Sequence, residues 1–82
     1  MLTARQTVET YFLEARHMLL EIAALLDRYD AAAGRDRGAA VNGADGDAAE
    51  KLAALREALA VLASETCDGE RATRLLELFA RV

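Results

Sequence analysis

The middle of the first helical segment is apolar on more sides than one neighbouring helix can cover. Eight of the nine residues from Met18 to Leu26 are apolar, and Glu21 is the exception. The apolar positions around this stretch alternate steps of four and three residues, which is the heptad pattern of packed helices: Val8, Phe12, Ala15, Leu19, Ile22, Leu26, Tyr29 and Ala33. A chain with such a segment is expected to be helical and to bury this helix against others.

Two apolar flanks border this heptad seam. On an ideal helical wheel, Met18 and Leu25 extend the seam on one side, and Leu13 and Leu20 form a separate stripe about 110° away on the other. One returning helix covers the seam and one flank, but not both flanks. Because an exposed leucine forgoes roughly 1.5–3 kcal/mol of burial, the sequence predicts that these four side chains lie in the interface of a homo-oligomer, such as a dimer. The alternative is a monomer that tolerates scattered surface leucines.

The composition favours an all-α fold. Hydrophobic residues make up 54% of the 82 residues, proline is absent, and leucine and alanine supply most of the apolar content. A chain of this length forms one domain at most, so we expect a single helical domain over 1–82 with a small core. With one cysteine, Cys67, the chain cannot form an internal disulfide, which fits a reducing compartment.

The charge of the chain argues against two classes of partner. A formal net charge of −4 and a pI of about 4.9 oppose binding to nucleic acid, which requires a basic face, and to anionic membrane surfaces. The N-terminal residues lack a signal-peptide pattern, and the apolar runs are far shorter than a membrane span. We therefore predict a cytoplasmic protein that contacts neither nucleic acid nor membrane.

Local signals predict three helices, at about 4–33, 48–65 and 69–81. Thr3 and Gln6 form a T-x-x-Q capping box, and Gly34 is a natural stop. Residues 35–47 carry turn dipeptides and predict a flexible interhelix loop. Asp68 is the expected cap of the third helix. The second helix has an apolar face formed by Ala48, Leu52, Leu55, Leu59 and Leu62.

Helix lengths leave two architectures open. The second and third helices together are about as long as the first, at 1.5 Å per residue, so the chain forms either a long helical hairpin or a compact three-helix bundle. Two hairpins then pair into a four-helix-bundle-like homodimer.

One pattern in the first helix suggests metal chemistry. Glu14-x-x-His17, followed by Glu21, resembles the Glu-x-x-His repeat of ferritin-like di-iron carboxylate bundles. The resemblance implies that a homodimer holds iron, manganese or zinc with Glu14, His17 and Glu21, aided by Glu50 or Glu57. The wheel instead places the first three side chains on the polar strip opposite the seam, where a solvated charged face without any cofactor is the alternative.

No pattern in the chain points to catalysis. The sequence has one histidine, no Gly-rich phosphate loop, no Ser-His-Asp order and no Cys-x-x-Cys pair. We therefore predict no catalytic residues and a non-catalytic helical module that acts by oligomerising and by binding an unidentified protein partner. A di-metal carboxylate protein and one half of a hetero-oligomer are the alternatives.

Overall fold

The computed structural model describes residues 1–36, 46–66 and 69–82 of the chain. These residues form three α-helices and no strand: α1 (Ala4–Asp36), α2 (Gly46–Ala63) and α3 (Arg71–Phe79). The prediction of an all-α chain with three helices is thereby confirmed. The chain divides into two compact units, Met1–Ala39 and Ala40–Val82, so that α1 belongs to the first and α2 and α3 belong to the second. None of the described helices is both long enough and apolar enough to cross a membrane.

The start of α1 is fixed by the predicted capping box. The backbone N–H of Thr3 donates to Oε1 of Gln6 at 3.0 Å, and the N–H of Gln6 donates to Oγ1 of Thr3 at 3.1 Å. The N–H of Thr7 donates to the Thr3 carbonyl at 2.9 Å, which closes the first turn. Two otherwise unpaired amide groups are satisfied in this way, so the helix begins at Ala4 as predicted.

The end of α1 lies beyond the predicted stop. The helix runs through Gly34 to Asp36, and Gly34 does not adopt the positive φ of a C-terminal glycine cap. A glycine inside a helix costs only about 1 kcal/mol relative to alanine, and Arg35 in the last turn interacts favourably with the helix dipole. Of the predicted loop over 35–47, residues 35–36 and 46–47 are helical, and residues 37–45 lie outside the described residues.

Helices α2 and α3 form an antiparallel hairpin. Nη2 of Arg71, at the start of α3, donates to the carbonyl oxygen of Ser64, just after the end of α2. Farther along, Nη2 of Arg81 lies 3.7 Å from Oε1 of Glu57, in the middle of α2. Because rising numbers on one helix meet falling numbers on the other, the two helices run in opposite directions. Their shared core consists of Ala54, Ala58 and Leu78.

The ends of α2 and α3 differ from the predicted ones by about two residues. Helix α2 begins and ends two residues early, with Asp47 in its first turn. Helix α3 begins at Arg71 because Gly69 has a φ of +81° and Glu70 is extended, so neither is helical. Glu70 occupies the N-cap position without a side-chain cap hydrogen bond, and the predicted cap Asp68 lies outside the described residues.

The residues of α2 that pack on α3 lie on a different face from the leucines noted in the sequence. The buried residues are Ala54 and Ala58, whereas the large side chains, here called the leucine row, lie about 120° around the helix: Leu52, Leu55, Leu59 and Leu62. Because α2 is apolar on most sides, hydrophobicity alone does not select the contact face. The small alanines let α3 approach closely enough for Leu78 to be buried between the helices.

Candidate interaction surface

The predicted interface residues of α1 are all exposed. Leu13 is 71% exposed and Leu20 is 56% exposed on one flank, and Met18 and Leu25 are exposed on the other. The seam between the flanks is exposed as well at Val8, Phe12, Leu19, Ile22 and Tyr29. No described side chain of α1 is buried, and α1 is the one described helix of its unit. The apolar side chains that the sequence singles out on both flanks of α1 are thus exposed.

The width of this surface limits what can cover it. The exposed side chains extend from Leu25, about 120° to one side of Leu19, to Leu13, about 120° to the other, at roughly 100° per residue. A helix that packs along one line covers about a third of another helix, as the apolar stripe of an ordinary surface helix shows. Two or more neighbouring helices are therefore needed to cover the middle of α1.

Helix α1 carries two exposed charged pairs, of which the His17–Glu21 pair lies on the remaining arc. Nε of Arg5 contacts Oε1 of Glu9 at 3.0 Å, and Nε2 of His17 lies 3.2 Å from Oε1 of Glu21. Both pairs are four residues apart and largely exposed, and such surface pairs contribute a few tenths of a kcal/mol each. The arc opposite Leu19 is therefore polar, and the helix is amphipathic with a wide apolar part.

The predicted metal ligands are only partly brought together. His17 and Glu21 are adjacent, but the described part of the chain contains no group of three or more His, Cys, Asp or Glu side chains arranged to hold a metal ion. Glu57 belongs to α2, where it faces Arg81. Two adjacent donors are fewer than a di-metal site requires, so such a site in a homodimer stays a prediction that depends on a second copy.

Two shallow clefts on the described part of the hairpin are lined by charged side chains. They measure about 320 and 310 Å³, and Glu57, Leu78 and Arg81 line both of them. Arg74 and Glu77 add a further charge of each sign to the smaller cleft. The acidic and basic side chains offset one another, and neither lining includes a nucleophile beside a base. Glu57 and Arg81 link α2 to α3 across these clefts through an exposed ion pair.

Comparison with known proteins adds no functional information. No protein-family model, no curated protein and no solved structure matches this chain. A function for the protein must therefore be argued from its surfaces.

Two features of the hairpin were missed from the sequence. The contact face of α2 has a signal that could have found it, since Ala54, Ala58 and Val61 follow the helical spacing of four and three residues. The exposure of Leu76 on α3, which is 73%, is the second feature, and the sequence analysis does not single out this residue. Both features show that the hairpin, like α1, displays large apolar side chains that its own packing does not bury.

Proposed function

We propose that this protein is a non-catalytic helical interaction module that self-associates through α1 and presents the resulting assembly to a larger protein partner. The observation that carries the proposal is the exposure of apolar side chains on both flanks of the α1 seam. Contiguous apolar patches of this kind mark interaction sites on soluble proteins. A second copy of the chain brings a matching apolar surface, and closed twofold dimers are the commonest way to bury one.

The stability of α1 gives a second reason for self-association. A single helix in water gains little from its own hydrogen bonds, and most helical stability in proteins comes from packing of an apolar face. The 33 residues of α1 are ordered as one helix, yet none of the described side chains is buried within this unit. Packing α1 against other helices supplies the stabilisation that the isolated helix lacks.

Light scattering coupled to size-exclusion chromatography tests the proposal. The wild-type chain is expected to be an oligomer at micromolar concentration. Replacing Leu13 and Leu20 by Gln removes one flank, and two lost burials of roughly 1.5–3 kcal/mol each weaken the dimer at least 100-fold. The matched control replaces Thr10 and His17 by Gln on the polar strip and is expected to leave the mass unchanged. A monomeric wild-type chain at high micromolar concentration would overturn the proposal.

Metal binding is the second candidate function. It is supported by the 3.2 Å approach of His17 to Glu21, which places an imidazole nitrogen beside a carboxylate oxygen one helical turn away. With Glu14 and a second copy of the chain, these side chains would form the carboxylate–histidine set that iron, manganese or zinc accepts. Elemental analysis of protein purified without an affinity tag separates this candidate from the first.

A further inference from the structure

The apolar seam of α1 is longer than either of the other described helices. It extends from Val8 to Ala33, which is about 38 Å at 1.5 Å per residue. Helix α2 (Gly46–Ala63) is about 27 Å long and α3 (Arg71–Phe79) about 14 Å, and because these two run antiparallel, neither extends the other. Among the described helices, only α1 of another copy matches the seam over its whole length.

The apolar surface of α1 is also larger than one pairwise contact requires. Ten large apolar side chains from Val8 to Tyr29 are on average roughly half exposed. At roughly 150 Å² per side chain, they present about 750 Å² of apolar surface per chain. A standard interface buries about 800 Å² per partner, of which little more than half, or about 450 Å², is apolar. One helix packed along a single line therefore leaves much of this surface uncovered, so each α1 needs two neighbours.

The residue types in the middle of the seam indicate how many helices share it. The steps of four and three residues place Leu19 and Leu26 at position a of the heptad and Ile22 at position d between them. In parallel bundles, a β-branched residue at a with leucine at d favours two helices, whereas leucine at a with isoleucine at d favours three or four. The central layers of α1 have the second arrangement.

The charges beside the seam favour parallel helices. In a parallel bundle, position e of one helix faces position g of the next. The residues at position g of α1 are all uncharged: Ala4, Tyr11, Met18, Leu25 and Ala32. In an antiparallel pair with fully overlapping seams, e faces e, which sets Glu9 beside Asp30 of the second copy, and like charges repel. Arg5 contacts Glu9 within the chain at 3.0 Å, so this repulsion is small, and the direction needs a test of its own.

We propose that three or four copies of this chain assemble through one parallel bundle of α1 helices, with Leu19, Ile22 and Leu26 in its central layers. This inference rests on the proposed self-association through α1 and adds the number of copies and their direction. Each helix then has a neighbour on either flank of its seam, and such a ring of head-to-tail contacts closes on itself.

Light scattering coupled to size-exclusion chromatography measures the number of copies. The wild-type mass is expected to be three or four times the 8.8 kDa of one chain. The triple variant Leu19→Ile, Ile22→Leu and Leu26→Ile exchanges the residue types of positions a and d while nearly conserving volume and hydropathy, and is expected to lower the mass to two chains. The matched control, Leu13→Ile with Leu20→Ile, introduces isoleucine on a flank outside positions a and d and is expected to leave the mass unchanged.

Cross-linking from a single cysteine tests the direction. In a Cys67→Ser background, Ala33→Cys places a thiol in the last layer of the seam. The equivalent thiols are neighbours in a parallel bundle, whereas antiparallel helices with overlapping seams separate them by about 38 Å. A short bismaleimide is therefore expected to link Ala33→Cys chains at a yield at least tenfold above that of Thr10→Cys, which lies on the polar strip.

Each of the other outcomes overturns the inference. A dimeric wild type does so while leaving self-association through α1 in place, whereas a monomeric wild type overturns the proposed function as well. If the mass corresponds to three or four chains and the exchange of leucine and isoleucine does not lower it, another contact sets the number of copies. If Ala33→Cys does not cross-link in an assembly of that mass, the α1 helices are not parallel.

Discussion

Helix α1 and the α2–α3 hairpin are built from similar residues but reach different degrees of burial. Both are rich in leucine and alanine, yet α1 has no buried side chain among its described residues, whereas the hairpin buries Ala54, Ala58 and Leu78. The difference arises because the turn after α2 returns a second helix against its small side chains. Apolar content therefore determines that a helix needs a neighbour, and the sizes of the side chains determine which face receives it.

The largest expected effect is the loss of the hairpin core. Leu78→Ala removes the one large buried side chain among the described residues, which is 5% exposed, and is expected to cost about 3 kcal/mol. Amide hydrogen exchange in α3 should then accelerate by about 100-fold, while exchange in α1 stays unchanged. Leu76→Ala, two residues away and largely exposed, is the control with an expected cost below about 1 kcal/mol. Equal effects of the two changes would show that the hairpin is not held by Leu78.

Replacing two glycines by alanine is expected to change the stability of α1 and of the hairpin in opposite directions. Gly34 is helical in α1, and Gly34→Ala is expected to stabilise that helix by about 1 kcal/mol. Gly69 has a φ of +81° before α3, so Gly69→Ala is expected to destabilise the hairpin by about 1 kcal/mol. A new Cβ at either position meets no atom within 4 Å, so the backbone alone sets the sign. Urea unfolding of the two variants measures the change in the free energy of unfolding for each. If both variants are stabilised, or both destabilised, the backbone conformation of the glycine does not determine the sign.

A smaller effect is expected at the beginning of α1. Thr3→Ala removes the hydroxyl that accepts from the N–H of Gln6 and should cost about 1 kcal/mol, seen as fraying of the first turn by NMR. Thr10→Ala, in the middle of the same helix, keeps the capping box and should leave the first turn intact. If both substitutions have the same effect, helix propensity rather than the cap determines where α1 begins.

The smallest effect is expected on the polar strip. His17→Ala breaks the exposed pair with Glu21 and should change the stability by less than about 0.5 kcal/mol, with no change in bound iron, manganese or zinc. Thermal unfolding and elemental analysis measure the two quantities. Stoichiometric metal in the wild type that disappears in the variant would instead support the di-metal candidate.

Much of the local structure could be predicted from the sequence. The all-α class, the three helices and the capping box of α1 follow from spacing and from the chemistry of Thr3 and Gln6, which are local properties. The observed helix ends near Gly34 and Gly69 differ from the predicted ones because the sequence does not reveal which glycine adopts a positive φ. That choice depends on the path of the chain after the helix, which is set by tertiary contacts.

The packing of the hairpin was harder to predict for the same reason. On α1, one wide apolar surface lies opposite a polar strip, so the sequence distinguishes Leu13 and Leu20 as an apolar stripe separate from the seam, and both are exposed. On α2, leucine and alanine faces are equally apolar, and only the approach of Leu78 distinguishes them. A pattern of hydrophobicity is informative where the alternative face is polar, and it loses that power where a helix is apolar nearly all round.

The alanines at the hairpin contact have a consequence for what this protein tolerates. Because Ala54 and Ala58 act through their lack of volume, the contact should accept a small polar side chain more readily than a large apolar one. A serine at position 58 can return its hydroxyl to a carbonyl of the preceding turn, whereas a leucine there must displace α3. Side-chain volume at these two positions thus limits how closely α3 packs on α2. Replacing either alanine by a larger apolar residue, which conserves hydropathy, is therefore more disruptive than replacing it by a small polar one.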